Sequence, residues 1–209
     1  MSRFSPGDRE RIRSDLVVEG RELFARFGFE RTRVKDVTDA VGIGTSTFYQ
    51  FFDSKAALYA AVLRAEREEL ETRVDAAVSD ADSPRDEVAT MLRTMFTEVR
   101  SNPLASRLIV DGELHLLTDQ LSESERQSIG SEAHETDLPY AERWAAMDAF
   151  RYDDPDLISG LVRSLVFVTR ANDSPIDALH VSAYEDVESR LIETLVDGLF
   201  ESDAEGDTR

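Results

Sequence analysis

The sequence predicts an all-α protein, on three observations. Apolar residues recur at three- and four-residue intervals in one segment after another, the spacing that lines one face of a helix. Helix-start chemistry stands before several of these segments, as Ser83-Pro84, Asp154-Pro155 and the box Ser182-x-x-Glu185. No segment reads as a strand, nothing repeats, and no long linker intervenes.

Taken in order, residues 1–8 read as a loose arm, with turn and cap chemistry in Ser5-Pro6-Gly7-Asp8. A first helix is expected from Asp8 to Phe27, its apolar face made by Ile12, Leu16, Gly20, Leu23, Phe24 and Phe27, and Gly28 stops it. Arg3, Arg9, Arg11 and Arg13, before and along its start, read as solvated surface. Thr32 can cap a second helix whose inward positions are Val34, Val37 and Val41. Gly42 offers the left-handed conformation that ends it, with Ile43 as an apolar plug beneath the turn. A third helix starts at Thr45, with Phe48 and Phe52 four apart on its inner face. Asp53-Ser54 caps a fourth, Lys55 to Val78, packed through Leu58, Tyr59, Val62 and Leu63.

Helix five opens at Ser83-Pro84, carries Val88, Leu92, Met95 and Val99 with Met91 and Phe96 beside them, and breaks at Asn102-Pro103. A short helix from Leu104 to Leu117 is expected next, then a poorly periodic acidic stretch at 118–138. A helix from Tyr140 to Phe150 bears Trp144, Met147 and Phe150. Two strongly apolar helices close the chain. One runs from Pro155 to Ala171 and the other from Ser182 through Leu199, and residues 202–209 read as a disordered acidic tail.

The outer face of helix three carries the functional signal. Thr45, Ser46, Thr47, Tyr49 and Gln50 are compact or planar donors and acceptors, a surface that suits the DNA major groove. Thr32, Gly42-Ile43, Thr47-Phe48-Tyr49, Phe52 and Ser54-Lys55 fall in an order that resembles the helix-turn-helix of the TetR family of transcriptional regulators. That resemblance implies an amino-terminal helix-turn-helix DNA-binding domain at 1–54 and a helical effector-binding and dimerisation domain at 55–209. It implies a homodimeric repressor on a palindromic operator in double-stranded DNA, released by a small-molecule effector.

Within helix three, Ser46 and Gln50 project into the groove together with Thr45 beside them. Glutamine can bond the N6 and N7 edge of adenine, and the Thr45 methyl can meet a thymine methyl. Tyr49 and Thr47 are candidates for phosphates, as are Thr32, Arg33, Lys35 and Lys55. Many relatives carry Lys where Thr45 stands and His or Tyr where Phe51 stands, and both departures remove a phosphate contact. The resemblance further implies an effector pocket among Met91, Met95, Phe96, Leu108, Trp144, Met147 and Phe150, which suits an apolar or aromatic ligand. It implies a dimer interface on the last two helices, through Leu161, Leu165, Leu191, Leu195 and Leu199. A second reading is a DNA-bound interaction protein without effector, recruiting a protein partner through its acidic helical domain.

Charge sharpens the division. Of 24 Lys+Arg and 43 Asp+Glu, ten and nine fall in residues 1–57, so that segment stands at +1 and the remainder at −20. Only Lys35 and Lys55 are lysines; every other cationic side chain is an arginine. So acidic and lysine-poor a chain looks adapted to a cytoplasm at very high salt, where self-repulsion is screened, and a halophilic archaeon is the expected source. The blander account is an acidic surface that keeps the rest of the protein off DNA.

Other chemistries are excluded or weak. Without cysteine there is no disulfide, thiolate zinc site or cysteine nucleophile. VGIGTST lacks the third glycine, the preceding strand and the Gly-Lys-Ser/Thr of a phosphate loop. His115, His134 and His180 are too scattered for a metal site, no G-x-S-x-G occurs, and an enzyme is not expected. No cofactor is implied. No apolar stretch approaches the 18 residues of a membrane span, and the chain reads as soluble and cytoplasmic.

Overall fold

The computed structural model of the 209-residue chain describes residues 4–104, 107, 123, 140–168 and 182–201. The helix expected at Leu104–Leu117 and the acidic stretch at 118–138 lie outside these residues, apart from the few just numbered. So do Leu108, Ala171 and the tail at 202–209.

Among the described residues the elements are helical. In chain order they are α1 (Pro6–Arg31), α2 (Val34–Val41), α3 (Thr45–Phe48), α4 (Lys55–Val78), α5 (Pro84–Ser101), α6 (Ala141–Ala145), α7 (Pro155–Val168) and α8 (Ser182–Leu199). The described pairing outside helices is an isolated antiparallel bridge between Phe150 and Phe200. The expected N-terminus of α4 and the expected bounds of α5 match what is seen, because each is set by a local signal. The Ser54 hydroxyl accepts from the Ala57 amide at 2.9 Å, and the Ser83 hydroxyl from the Asp86 amide at 3.2 Å.

Helix α1 departs from expectation at both ends. It begins at Pro6 rather than Asp8, because Ser5 and Asp8 form a reciprocal capping box: Ser5 Oγ accepts from the Asp8 amide at 3.1 Å, and the Asp8 carboxylate from the Ser5 amide at 3.3 Å. At the far end Gly28 adopts φ 78°, a backbone only glycine takes readily, and the chain resumes a helical turn to Arg31. This break displaces the apolar stripe beyond it. Phe27, expected inward, is 41% exposed, while Phe29 is buried in its place.

Two compact units result, one made of described residues within Met1–Glu71 and Val99–Ser131, the other within Thr72–Glu98 and Glu132–Arg209. The divisions fall inside α4 and α5, since the first half of α4 and the residues after α5 pack with the amino-terminal helices. The first unit is built on Ile12, Leu16, Phe24, Phe29, Val37, Phe48, Phe52, Leu58, Tyr59, Val62 and Leu104. Tyr59 lies 4.6 Å from Phe24 and 5.2 Å from Phe29, ring centre to ring centre. Gly20 lets α4 come close: a Cβ there would stand 3.2 Å from Leu58 Cδ2. Glu66, buried on α4, takes hydrogen bonds from Arg21 on α1 and from the Asn102 side-chain Nδ2, which ties residues beyond α5 into this unit. The Arg21 guanidinium is held above its usual pKa chiefly by that bond to Glu66.

In the second unit Val88, Met91, Leu92 and Phe96 of α5, Trp144 of α6, and Ile158 and Val162 of α7 are fully or almost fully buried. Tyr140, Trp144 and Phe150 stack successively at 5.5 and 5.8 Å, and Phe200 closes the row at 4.3 Å. The Trp144 indole N–H donates to Glu87, which also pairs with Arg143. No described helix is long and apolar enough to cross a membrane.

Candidate nucleic-acid interface

The site is built on a left-handed glycine. Gly42 (φ 76°) ends α2, and its amide and that of Ile43 return to Asp39 and Thr38. Gly44 then precedes α3, which occupies only Thr45–Phe48 before the chain continues in tight turns to Phe52. Four residues of helix have no stability of their own. What holds them is Phe48, fully buried, and Phe52, nearly so, with ring centres 5.9 Å apart.

Opposite that anchor, Thr45, Ser46, Tyr49 and Gln50 are exposed and Thr47 half-exposed. Among the described residues none of these five side chains makes a hydrogen bond. Tyr49 is 54% exposed and stands edge-on against Phe48 at 5.2 Å, so its ring is braced while its hydroxyl faces outward. The result is a narrow ridge of uncommitted donors and acceptors on a rigid apolar footing.

The other residues expected at phosphates separate into two pairs. Arg33 and Lys35 face solvent. Arg33 starts α2 through its backbone, whose amide donates to the Asp36 carboxylate at 2.9 Å. Lys35 is held by Asp39 at 2.6 Å, an exposed pair that a phosphate can replace at little cost.

Thr32 and Lys55 turn inward, a correction to the sequence reading. The break at Gly28 leaves carbonyls at the end of α1 without helical partners. Buried Thr32 donates its hydroxyl to Gly28 O at 2.8 Å and Leu23 O at 3.3 Å. It therefore closes α1, and Arg33 rather than Thr32 precedes α2. The Lys55 ammonium donates to Phe29 O at 2.7 Å and Thr32 O at 3.0 Å, over the Phe29 ring at 4.1 Å. Burial pushes its pKa below the usual lysine value, and the Glu30 charge partly offsets that.

Contacts that sequence reasoning missed come from the start of α1. Arg9 donates to Gln50 O at 3.1 Å and lies over the Phe51 ring at 4.8 Å; Arg13 lies over the Phe52 ring at 5.1 Å. Phe51, half-buried, also meets Phe4 at 6.3 Å. The separation of about 41 residues between Arg9 and Gln50 hides this contact from any local pattern. Arg9, Arg13, Gln50 and Phe51 border a groove of about 890 Å³, also lined by Glu10, Arg64 and Glu68.

The second unit orders the remaining expected residues differently. Met91, Phe96, Trp144 and Phe150 are interior, and Met95 and Met147 half-buried. A groove of about 370 Å³ between α5 and α8 is lined by none of them, but by residues including Arg85, Arg93, Ile192 and Val196. Among the expected dimer residues, Leu161, Leu191 and Leu195 are half-exposed, and Leu165 retains 9% exposure. Leu199 is fully buried inside the protomer, because the Arg151 amide bonds its carbonyl at 2.8 Å and Phe150 pairs with Phe200 beside it. That is a second correction. Among the described residues, Val187 on α8 and Leu157 on α7 are apolar side chains more than 40% exposed. Among the described residues no group of His, Asp or Glu side chains could hold a metal ion.

Residues 16–62 match the family model for bacterial regulatory proteins of the tetR family. The transcriptional repressor KstR2 of Rhodococcus jostii is 26% identical over 108 residues, 52% of this chain and 53% of its own. The transcriptional activator FasR of Mycolicibacterium smegmatis is 25% identical over 105 residues, 50% of this chain and 48% of its own. The chain thus spans about half the length of the curated relatives it matches. Among solved structures, AibR in complex with isovaleryl coenzyme A and operator DNA shares the fold at a TM-score of 0.61 and 14% identity, over 90% of this chain and 98% of that one.

Proposed function

We propose that the chain, whose residues 16–62 match the tetR family model, works as a homodimeric transcriptional regulator of that family, a repressor released from its operator by a small-molecule effector. One observation carries this reading: the five side chains of the α3 ridge are outward and uncommitted, while Phe48 and Phe52 fix the ridge from below. Such a ridge fills the major groove, with Ser46, Gln50 and Thr45 toward base edges and Thr47 and Tyr49 toward phosphates. Arg33 and Lys35 add phosphate contacts from α2. Two protomers read a palindrome whose half-sites lie one or more helical turns apart.

In functional terms residues 1–54 bind DNA, and residues 55–209 hold the effector and the two-fold contact. For that contact the half-exposed Leu161, Leu191 and Leu195, extended by Leu157 and Val187, replace Leu199. An effector that prefers the dimer whose ridges mismatch the operator shifts the population away from DNA. DNA must then weaken effector binding by the same factor. A protein of the same fold, AibR, is known in complex with isovaleryl coenzyme A and operator DNA, two ligand classes of the kind proposed here. A pocket opening among Met91, Met95, Phe96, Trp144, Met147 and Phe150 would take an apolar or aromatic effector.

The acidic, lysine-poor composition supports work in concentrated salt, as in a halophilic archaeon. Binding through neutral hydrogen bonds and apolar contact then falls less steeply with salt than for a lysine-rich repressor. The test is selection from a random duplex pool by the purified protein. Recovery of a palindrome, bound by two protomers, is expected; recovery of no preferred sequence would count against the reading.

A further inference from the structure

We infer that Arg9 is a positioning residue of the reading ridge, acting through the backbone of Gln50 rather than by touching DNA. The inference rests on the reading of Thr45–Gln50 as the DNA-reading surface.

The need for such a residue follows from the shortness of α3. After Phe48 the chain is held by tight turn bonds, Gln50 N–H to Thr47 O at 3.0 Å and Phe51 N–H to Phe48 O at 2.9 Å. The carbonyls at this end have no helix ahead to receive them. Arg9 satisfies the Gln50 carbonyl at 3.1 Å with a charged donor, the stronger kind of hydrogen bond. The same guanidinium lies on the Phe51 ring, so its orientation is set by two contacts rather than one.

Arg9 is itself fixed. Its amide makes the first helical bond to Ser5 O at 3.0 Å, directly behind the Ser5–Asp8 capping box. A chain of contacts therefore runs from the cap of α1, through the Arg9 backbone and guanidinium, to the Gln50 carbonyl. Rotating that peptide by a few tens of degrees would swing the Gln50 amide off a base edge. The Gln50 carbonyl and the Phe51 ring already orient the Arg9 guanidinium within the protomer, whereas Arg33 and Lys35 stand exposed at the start of α2.

The experiment uses a fluorescein-labelled duplex selected by the wild-type protein, and duplexes substituted at each base pair, read by anisotropy across a salt series. Substituting Gln50→Ala identifies the base pairs that Gln50 reads, where the wild type should discriminate by about 5- to 150-fold. Arg9→Ala should reduce discrimination at those same pairs to within about threefold, with the slope of log K against log salt unchanged. Arg9→Gln, which keeps an N–H donor and loses the charge, should retain most of the discrimination, and its neutral side chain guards against a merely unfolded Arg9→Ala. Discrimination that survives in Arg9→Ala while the slope falls by about 0.9 would make Arg9 a phosphate contact and overturn the inference. A wild-type protein that selects no sequence would instead sink the DNA-reading function, and this inference with it.

Discussion

Helices α3 and α6 are the two shortest described elements, four and five residues, and neither could persist alone. Both are held by aromatic rings, Phe48 and Phe52 in one case, Tyr140, Trp144 and Phe150 in the other. Their polar side chains meet opposite fates. Around α6, Arg143 and the Trp144 indole are bound to Glu87, and the Tyr140 hydroxyl to Asp75. Around α3 no side-chain donor or acceptor of the ridge is spoken for among the described residues. Bound polar groups hold a helix in place; unbound ones on an equally rigid footing are available to another molecule.

The strongest way to break this comparison is to remove the footing on each side. Phe48→Ala and Trp144→Ala should each lose about 3–5 kcal/mol in urea denaturation, since both rings are fully buried. Phe48→Ala should also abolish DNA binding. A Phe48→Ala protein of wild-type stability would mean that the ridge is supported by something else.

A smaller effect separates inward from outward cations. Lys55→Met should cost about 1–3 kcal/mol, because two carbonyls at the end of α1 lose a charged donor. It should leave the salt slope of DNA binding unchanged. Lys35→Met should do the reverse, changing stability by less than about 0.5 kcal/mol and flattening the salt slope by about 0.9. Equal slopes in the two variants would remove the distinction between them.

Gly42→Ala meets open space but holds φ 76°, so strain alone should cost about 1–2 kcal/mol. Loss of sequence discrimination beyond that stability change would mean the turn itself aims the ridge.

The smallest effect is at the cap of α1. The Asp8 carboxyl is held below its ordinary value of 3.8, first by the Ser5 hydroxyl and then by the Ser5 amide. A depressed folded pKa gives stability that is present above 3.8 and lost as pH falls through the folded value. Asp8→Asn should therefore melt lower than wild type at neutral pH, and the gap in melting temperature should close below about pH 3.8. A gap that stayed constant with pH would remove the charge from the account of this cap.

Most of the fold and the ridge could be read in the sequence because local chemistry sets them. Ser54 and Ser83 cap their own helices, Gly42 makes its own turn, and the four-residue interval between Phe48 and Phe52 puts both rings on one side. What could not be read depends on partners remote in sequence. Thr32 and Lys55 look like phosphate ligands until Gly28 breaks α1 and exposes carbonyls for them to bind. Leu199 continues an apolar stripe, and only the return of Phe150 and Arg151 to the end of α8 makes it interior. Arg9 has nothing in its neighbourhood to suggest Gln50.

The absence of cysteine makes the central claim directly measurable. Single-cysteine variants Gln50→Cys and Ser46→Cys can be offered a selected duplex bearing a thiol-tethered base in its major groove. The account predicts rapid disulfide cross-linking from both positions, and none from Trp144→Cys or from a cysteine at exposed Val187. Cross-linking that fails at 46 and 50 but forms from Val187 would mean that the molecule meets DNA through another face.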